Sequence, residues 1–397
     1  MATAVTTAAG PTGTRIALLD VLRGVAILGT LATNVWIFAT PGSEARLLVD
    51  AAAVSATANL TGGPVAAVAE GVFRFLANGK FLALLTILFG VGLAIQHGSA
   101  VSRGRAWPGR YGWRALLLFV EGTLHFVLVF AFDVLMGYAV TALLVAWLLA
   151  RSARVQKVAM SLAAGVHLTL MGLLTLALAL APPDERAVPD APGRFFTEGG
   201  YLAQVTFRLA NWLPLRAEPI ISFGLLVFLF LLGVRLLRAG AFGTDDRGRA
   251  LRRRLLRLGL GVGLPLNAAT TLAGPELFLV DRYVCAPLLA VGYLGLVGVL
   301  LDRRSTPGAV TSGLTAVGRT ALSCYVLQNV LCVVVCYGWG LGLARSWQGA
   351  APWWVLGLWA GVSGTLVLVA SWWTGRFGAG PLEAAQRAVL RRLDRPS

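Results

Sequence analysis

Charged residues are scarce in this chain. Asp, Glu, Lys and Arg make up 13% of the 397 residues, whereas hydrophobic residues make up 57%. Soluble globular domains carry about 25% charged residues, so a soluble domain of this size is excluded. The composition places the chain among integral membrane proteins.

Cysteine is also rare, and no catalytic or metal-binding motif contains it. The four cysteines, Cys285, Cys324, Cys332 and Cys336, form no Cys-x-x-Cys pair and have no histidine beside them. We therefore expect no metal site and interpret them as small apolar residues. The chain has no Gly-x-Ser-x-Gly motif either, which argues against a serine nucleophile.

Long apolar runs, in contrast, are abundant. Ten stretches reach the roughly 17–25 residues that a membrane-spanning helix needs. They cover approximately 16–39, 80–97, 113–131, 133–150, 158–181, 220–238, 255–273, 281–301, 318–337 and 353–373. Because backbone groups in lipid must bond within their own segment, these runs predict helices rather than strands. We predict an all-α, polytopic transmembrane helix bundle of about ten spans, with a weaker helix at 64–78.

The few charges are distributed unevenly. The formal net charge is +16, and if both termini are cytoplasmic, most of the 34 Lys and Arg residues fall in inner segments. That distribution follows the positive-inside rule. We predict a multi-pass protein of the bacterial cytoplasmic membrane, in contact with the lipid bilayer, and expect no nucleic-acid partner. A homo-oligomer stays open.

The sequence predicts a short N-terminal tail followed by two halves of the bundle. Residues 1–14 are small and polar, carry no cleavable signal and are predicted to be disordered. The N-terminal half of the bundle covers 15–238 and includes a long outer loop, 182–219, that could fold over an external site as a cap. The C-terminal half covers 239–397 and begins with a Gly-rich, charged link at 239–250.

The first span carries three polar residues, Asp20, Arg23 and Asn34. Such side chains are expensive to keep in a bilayer and mark functional sites. At 100° per residue the three fall within roughly 60° of one another, and Asn34 lies about 21 Å along the axis from Asp20. One face of the helix therefore suits a solvated path or a long ligand that lies across the membrane.

Of the three histidines, His125 is the candidate for chemistry. Glu121 lies one helical turn before it, and Asp133 opens the next helix after a tight turn. A histidine oriented by a carboxylate is the minimal general base. Two structural alternatives stay open: Asp133 is a good helix N-cap, and Glu121 could pair with a neighbouring helix.

Several longer motifs resemble the YeiB family of bacterial integral membrane proteins. They are RIALLDVLRGVAILGTLATNV at 15–35, KFLALLTILFGVGLAIQ at 80–96, RALLLFVEGTLHFVLVFAFDVLMGYAV at 114–140, VGRTALSCYVLQNVL at 317–331 and GRFGAGPLEAAQRAVLRRL at 375–393. The resemblance covers nearly the whole chain from Arg15 and implies a C-terminal domain of unknown function. Two departures are visible: Ser323 stands where the family usually has Thr, and an extra Ala379 precedes Pro381.

The opening motif also resembles that of membrane acyltransferases. Leu-Asp-x-x-Arg-Gly, with Asn34 fourteen residues after Asp20, is similar to the motif of heparan-alpha-glucosaminide N-acetyltransferases and, more loosely, of acyltransferase-3 enzymes. The resemblance implies that acyl-CoA enters from the cytosol and that its acyl group reaches a sugar acceptor on the far side. It carries over to Asp20, Arg23 and Asn34. The glucosaminide enzymes place their functional histidine after the first span, where this chain has none, so His125 would be a substitute in role.

We expect the remaining residues to complete such an acyltransferase. A basic inner mouth would lead to the CoA phosphates, because a guanidinium pairs with phosphate through a fork of donors. At the outer end a base would deprotonate a hydroxyl or amine while an amide or ammonium stabilises the oxyanion. The candidates are His125, Asp133, Asn34 and Glu121 for catalysis; Asp20, Arg23, Arg110, Arg114, Arg319 and Lys80 for acyl-CoA; and Arg103 and Arg105 for the mouth. Lys80 could also assist or replace Asn34. The expected co-substrate is acyl-CoA, with acetyl-CoA as the first candidate, in a direct transfer; an acyl-histidine at His125 stays open.

Two other classes of function remain possible from the sequence. A proton-coupled transporter of a small solute would use the same polar helix face, with Asp20 or Asp133 carrying protons and the Gly-rich run at 258–269 as an interrupted span. A membrane scaffold would need no intramembrane charge, so it is the least favoured. A transferase must bind acyl-CoA, and a transporter should not.

Overall fold

The computed structural model of the chain describes residues 16–40, 42–49, 64–180, 195–304, 306 and 308–393. All the regular secondary structure in these ranges is helical, which confirms the all-α prediction. The predicted tail 1–14 and the part 182–194 of the predicted outer loop lie outside the described residues.

The described ranges contain α-helices that we number in chain order. They are α1 Ala17–Ala39, α2 Ser43–Val49, α3 Val65–Ala77, α4 Lys80–Ser102, α5 Tyr111–Leu128, α6 Leu135–Leu149, α7 Ala153–Leu180, α8 Phe195–Glu198, α9 Tyr201–Ala210, α10 Trp212–Leu215, α11 Ala217–Ile221, α12 Phe223–Arg238, α13 Asp246–Leu258, α14 Leu264–Ala273, α15 Phe278–Val280, α16 Ala286–Asp302, α17 Ala309–Arg319, α18 Ala321–Cys336, α19 Leu343–Ser346, α20 Trp353–Phe377 and α21 Pro381–Leu393. Two π-helical turns, Gly259–Gly263 and Asp281–Cys285, adjoin α14 and α16.

The ten predicted apolar stretches are helical over most of their length. Six helical segments of the described chain are long and apolar enough to cross a membrane, or seven if α17 and α18, bent by 92°, count as one span. The ten-span count stays a prediction, because α6, for example, has 15 residues and a span needs roughly 17–25. The cytoplasmic position of both termini also stays a prediction.

The helices present apolar side chains outward. On α7, Leu162, Val166 and Leu173 are more than half exposed. On α20, exposed Trp353 and Trp372 lie about 28 Å apart along the axis. That distance matches the roughly 30 Å hydrocarbon core, at whose interfaces tryptophan concentrates. The chain is a membrane protein.

Helix α1 lies at the centre of the bundle, packed against α4, α17, α18 and α20. A Cβ atom on Gly24 would lie 2.1 Å from the carbonyl oxygen of Leu314, and one on Gly318 would lie 1.8 Å from that of Asp20. Glycine at both positions lets the backbones of α1 and α17 meet, which is how membrane helices pack closely. Helices from the two predicted halves therefore pack on one another, and the division at 239–250 stays a prediction from sequence.

The two ends of the bundle differ. The α4–α5 loop, which is rich in arginine, and helix α21 lie at one end, which we call the inner end because the positive-inside rule assigns it to the cytoplasm. At the opposite, outer end, the short helices α8 to α11, residues 195–221, form what we call the cap. The cap sends Arg208 and Arg216 into the bundle, where both are buried.

Candidate functional site

A cavity of about 330 Å³ opens at the inner end, and we call it the inner cavity. Three guanidinium groups line it, from Arg23 on α1, Arg114 on α5 and Arg319 on α17, together with Glu383 and Gln386 on α21. The structure thus brings together three arginines that the sequence analysis grouped from distant positions.

A second cavity of about 570 Å³, the basic mouth, adjoins the inner cavity. Arg103, Arg105, Arg110 and Arg114 line it. The two cavities share Arg114 and three further lining residues, Gln96, Tyr111 and Leu390. An anion that enters the mouth therefore meets a continuous arginine-lined surface, which suits the multiple charges of phosphate groups.

Two of the inner arginines, Arg114 and Arg319, are each held by one hydrogen bond to a neutral group. Arg114 Nη1 donates to Gln96 Oε1 at 2.8 Å, and Arg319 Nη2 donates to the carbonyl oxygen of Gly378 at 3.0 Å. Arg23 Nη1 lies 3.7 Å from Asp20 Oδ1, and the Asp20 side chain is buried. The contacts of Arg114 and Arg319 orient these two guanidinium groups and leave most of their donors available to a ligand, since each guanidinium has five.

Helix α21 closes one side of the inner cavity through Glu383. Its carboxylate accepts from the backbone N–H groups of Leu322 at 2.9 Å and Ser323 at 3.3 Å, and from Ser323 Oγ at 2.5 Å. The carboxylate therefore caps the first turn of α18, where the backbone donors have no helical partner and the helix dipole favours a negative charge. Gln386, one turn later, donates to Glu121 Oε2 at 2.6 Å.

The outer end contains a third cavity, of about 170 Å³, which we call the outer cavity. One wall is a polar stripe of α1, formed by Thr30, Thr33 and Asn34. Opposite polar groups come from Glu218 in the cap and from Arg282 and Tyr283. Most of the other lining residues are apolar, so the cavity suits a ligand with a few hydroxyl or amine groups.

Glu218 is the carboxylate of this outer cavity and is firmly held. Arg282 Nη2 donates to its Oε1 at 2.9 Å and Tyr283 Oη donates to the same atom at 2.8 Å. Burial alone would raise the pKa of Glu218, but the Arg282 charge and these two hydrogen bonds lower it below its ordinary value. The carboxylate is therefore ionised at neutral pH. Arg282 is fixed in turn by Asn78, whose Oδ1 accepts from its Nη1.

His125 is not oriented by a carboxylate, contrary to the expectation from sequence. Its Nε2 lies 3.0 Å from Nδ2 of Asn329 on α18, and its ring stacks on Tyr325 with the centroids 5.3 Å apart. His125 is 3% exposed and lines neither the inner nor the outer cavity, whereas Tyr325 lines the outer one.

Asp133 and Glu121 instead have the structural roles that the sequence left open, a cap of a helix and a contact with a neighbouring helix. Asp133 Oδ2 accepts from the backbone N–H of Met136 at 3.2 Å in the first turn of α6 and lies 3.7 Å from Arg216 of the cap. Glu121 faces Gln386 at the inner cavity. These carboxylates are close to His125 along the chain, but in the folded protein Asp133 contacts the cap and Glu121 contacts α21.

Lys80 also lies away from the position expected for it. Its Nζ is buried, 4.7 Å from the centre of the Phe75 ring, with no hydrogen-bond partner. It does not line the outer cavity with Asn34, although its neighbour Gly79 does.

A packed layer separates the two cavities. The ring of Phe89, which lines the inner cavity, packs on the buried ring of Tyr138 with the centroids 4.6 Å apart. Tyr138 Oη lies 2.6 Å from Thr86 Oγ1.

Sequence reasoning missed the ion pairs beneath the cap. Arg208 donates to both carboxylate oxygens of Glu44, at 2.9 and 2.8 Å, and both side chains are 0% exposed. Tyr337 Oη and the backbone N–H of Ala131 also donate to Glu44. The available signal was a charged residue inside an otherwise apolar segment, as in LPLRAEPII at 213–221 and FLVDRYVC at 278–285.

Comparison with known proteins agrees with the motifs. Residues 236–392 match the family model described as "Protein of unknown function (DUF418)". The chain is 29% identical to the uncharacterized protein YeiB of Escherichia coli K12 over 341 residues, which cover 81% of this chain and 84% of YeiB. It is 25% identical to the uncharacterized protein YxaH of Bacillus subtilis 168 over 365 residues, or 84% of each. The chain is therefore similar to YeiB and YxaH over most of its length, and its C-terminal part matches the DUF418 model.

Proposed function

We propose that this protein is an integral membrane acyltransferase of the bacterial cytoplasmic membrane. Acyl-CoA, with acetyl-CoA as the first candidate, binds in the inner cavity, and the acyl group passes to a hydroxyl or amine of a sugar-type acceptor in the outer cavity. The observation that carries the proposal is the inner cavity itself, where Arg23, Arg114 and Arg319 continue into the basic mouth. The similarity of the Asp20, Arg23 and Asn34 motif to that of membrane acyltransferases also supports it.

The reaction transfers one acyl group without a change of oxidation state. The acceptor oxygen or nitrogen bonds to the thioester carbonyl carbon, the carbon–sulfur bond breaks, and the thiolate leaves with the proton that the acceptor loses. In this proposal Asn34 donates to the oxyanion, and Glu218 takes the proton from the acceptor and passes it to the departing thiolate, because both residues line the outer cavity. His125 becomes a base only if Tyr325, which stacks on it and lines that cavity, moves aside.

The path between the cavities follows α1. Arg23 and Asn34 are separated by about 16 Å along the helix axis, and the layer of Phe89 and Tyr138 lies between the two cavities. In this proposal the side chains of Phe89 and Tyr138 rotate aside when the acyl-bearing arm enters.

A binding measurement tests the proposal at its first step. The purified protein is titrated with acetyl-CoA and a long-chain acyl-CoA by calorimetry, and its thermal unfolding is followed in parallel. We expect binding and stabilisation, both weakened about 10- to 100-fold by Arg23→Gln or Arg319→Gln, since each hydrogen bond to a charged group contributes about 1.5–3 kcal/mol. Arg254→Gln, an exposed arginine of α13, is the matched control and should bind as the wild type does.

The rival function is a proton-coupled transporter of a small solute. A specific observation favours it: cavities at opposite ends, separated by a packed layer, are the arrangement of a carrier in an occluded state. If neither acyl-CoA binds to the wild type under conditions in which the protein is folded, the acyltransferase proposal fails and the transporter remains.

A turnover assay separates the two candidate bases. With radiolabelled acetyl-CoA and a membrane-sugar extract as the acceptor source, we expect Glu218→Gln to abolish transfer and His125→Gln to retain most of it. The opposite result would assign the base to His125 and remove Glu218 from the mechanism.

A further inference from the structure

A buried polar cluster lies beside the outer cavity and takes no part in the proposed transfer. Its centre is Asp281, which is 4% exposed and opens the π-helical turn Asp281–Cys285. One carboxylate oxygen, Oδ1, accepts from three side chains of α14: Asn267 Nδ2 at 2.7 Å, Thr270 Oγ1 at 2.9 Å and Thr271 Oγ1 at 2.7 Å.

Two atoms of this cluster have no hydrogen-bond partner although they are fully buried. They are Oδ1 of Asn267 and Nζ of Lys80, both on residues that are 0% exposed. Lys80 lies within electrostatic range of Asp281, Arg282 and Cys285 but forms no ion pair with Asp281. A buried polar atom without a partner is costly, so the unpartnered oxygen of Asn267 beside this carboxylate indicates that the cluster accommodates a species that an amide oxygen can bind.

The backbone around the cluster departs from the regular α-helix. One π-helical turn, Gly259–Gly263, precedes α14 and another contains Asp281. Two carbonyl oxygens of the second turn are engaged by side chains from other helices: Asn267 Nδ2 lies 3.3 Å from that of Asp281, and His167 Nε2 lies 3.0 Å from that of Tyr283. Such turns occur frequently at functional sites, and interrupted membrane helices often surround bound ions.

The ligand that fits these groups is a small monovalent cation. The cluster offers one carboxylate, one amide and two hydroxyl oxygens, and hard cations prefer oxygen ligands. If the Asn267 amide rotated by 180°, its unpartnered Oδ1 would take the place of Nδ2 beside the Asp281 carboxylate. A cation could then be bound by both oxygens. Asp281 supplies a single negative charge, so a divalent ion would leave more uncompensated charge inside the protein than a monovalent one.

We propose that Asp281, Asn267, Thr270 and Thr271 form a site for a monovalent cation such as Na⁺. The ammonium group of Lys80 is a tethered competitor, which supplies a nearby positive charge and weakens the affinity of the ion. The other charged neighbour, Arg282, is compensated by its ion pair with Glu218. The site lies next to the outer cavity, since Gly79 and Arg282, the chain neighbours of Lys80 and Asp281, line that cavity.

Thermal unfolding of the purified chain at constant ionic strength tests the site. Na⁺ is exchanged stepwise for choline, which is too large to enter. We expect the unfolding temperature of the wild type to start from its value in all-choline buffer, to rise with the Na⁺ concentration and to reach a plateau. In Lys80→Met the Na⁺ concentration for half the effect should fall about tenfold, because one repelling charge has been removed. This gain does not depend on whether a variant loses stability.

Loss-of-function variants complete the test. Thr270→Val with Thr271→Val keeps the side-chain shapes, removes two oxygen ligands and should raise the half-effect concentration at least tenfold. Thr365→Val, which removes a hydroxyl that bonds only within α20, should leave it unchanged. The proposal is overturned if Na⁺ and choline act alike on the wild type and on Lys80→Met, or if the double valine variant responds to Na⁺ as the wild type does.

Discussion

The inner and outer cavities are built on opposite physical principles. At the inner cavity, Arg114 and Arg319 each make a single hydrogen bond to a neutral group, so they can turn towards an incoming anion. At the outer end, carboxylates and guanidinium groups are already paired, as in Glu44 with Arg208 and Glu218 with Arg282. In the proposed function the inner charges serve binding, whereas the paired outer charges hold the cap against the bundle.

The largest effect should come from breaking the buried pair under the cap. Glu44→Gln leaves Arg208 buried with an unpaired charge, and removing one partner of a buried ion pair destabilises a protein by about 3–5 kcal/mol. Denaturant unfolding in detergent micelles measures the loss. The double variant Glu44→Gln with Arg208→Met should lose less than Glu44→Gln alone. A cost below about 1 kcal/mol for the single variant would mean that the cap is not held by this pair.

The second prediction concerns Asn34 in the outer cavity, whose substitution should lower turnover rather than stability. Asn34→Ala removes the donor proposed for the oxyanion, and loss of one such donor lowers the rate about 100- to 1000-fold. The affinity for acyl-CoA, measured by calorimetry, should be unchanged because Asn34 does not line the inner cavity. Equal losses of affinity and turnover would instead place the acyl-CoA arm in contact with Asn34 in the ground state.

At the inner cavity, the contact between α21 and α18 through Glu383 can be tested in the same way. Glu383→Gln removes the negative charge that caps α18 and should destabilise the protein by about 0.5–2 kcal/mol, as other cap losses do. Because Glu383 lines the inner cavity, acyl-CoA affinity should also change, whereas the reactivity of the outer-cavity groups should not. Arg254→Gln, the exposed control on α13, should leave both properties unchanged.

The smallest effect concerns pH at the outer cavity. The pKa of Glu218 is lower in the folded protein than its ordinary value of 4.5. Its charge therefore stabilises the fold above that pH, and the contribution disappears as the pH falls through the folded pKa. The difference in unfolding free energy between the wild type and Glu218→Gln should stay constant from pH 8 to about 5.5 and shrink only below about 4.5. A difference that already declines near pH 7 would contradict the ion pair with Arg282.

The helices and the inner arginines could be predicted from sequence because their signals are local. Apolar runs fix the helices, and the loop arginines from Arg103 to Arg114 lie within a dozen residues of each other. The environment of His125 could not be predicted, since its partner Asn329 is 204 residues away. Glu121 and Asp133 were near it in sequence, but α21 and the cap offer each of them a different partner.

The sequence alone determined that the chain is a helical membrane protein, with arginines at one end of the bundle and a polar face on α1. These properties follow from hydrophobic content and helical period, which act over a few turns. Tertiary structure decided which charges are paired, that Glu218 and Asn34 face one cavity, and that Asp281 gathers three donors from α14. A buried charge is stable only with a partner, and partners supplied by distant helices are set by packing rather than by spacing along the chain.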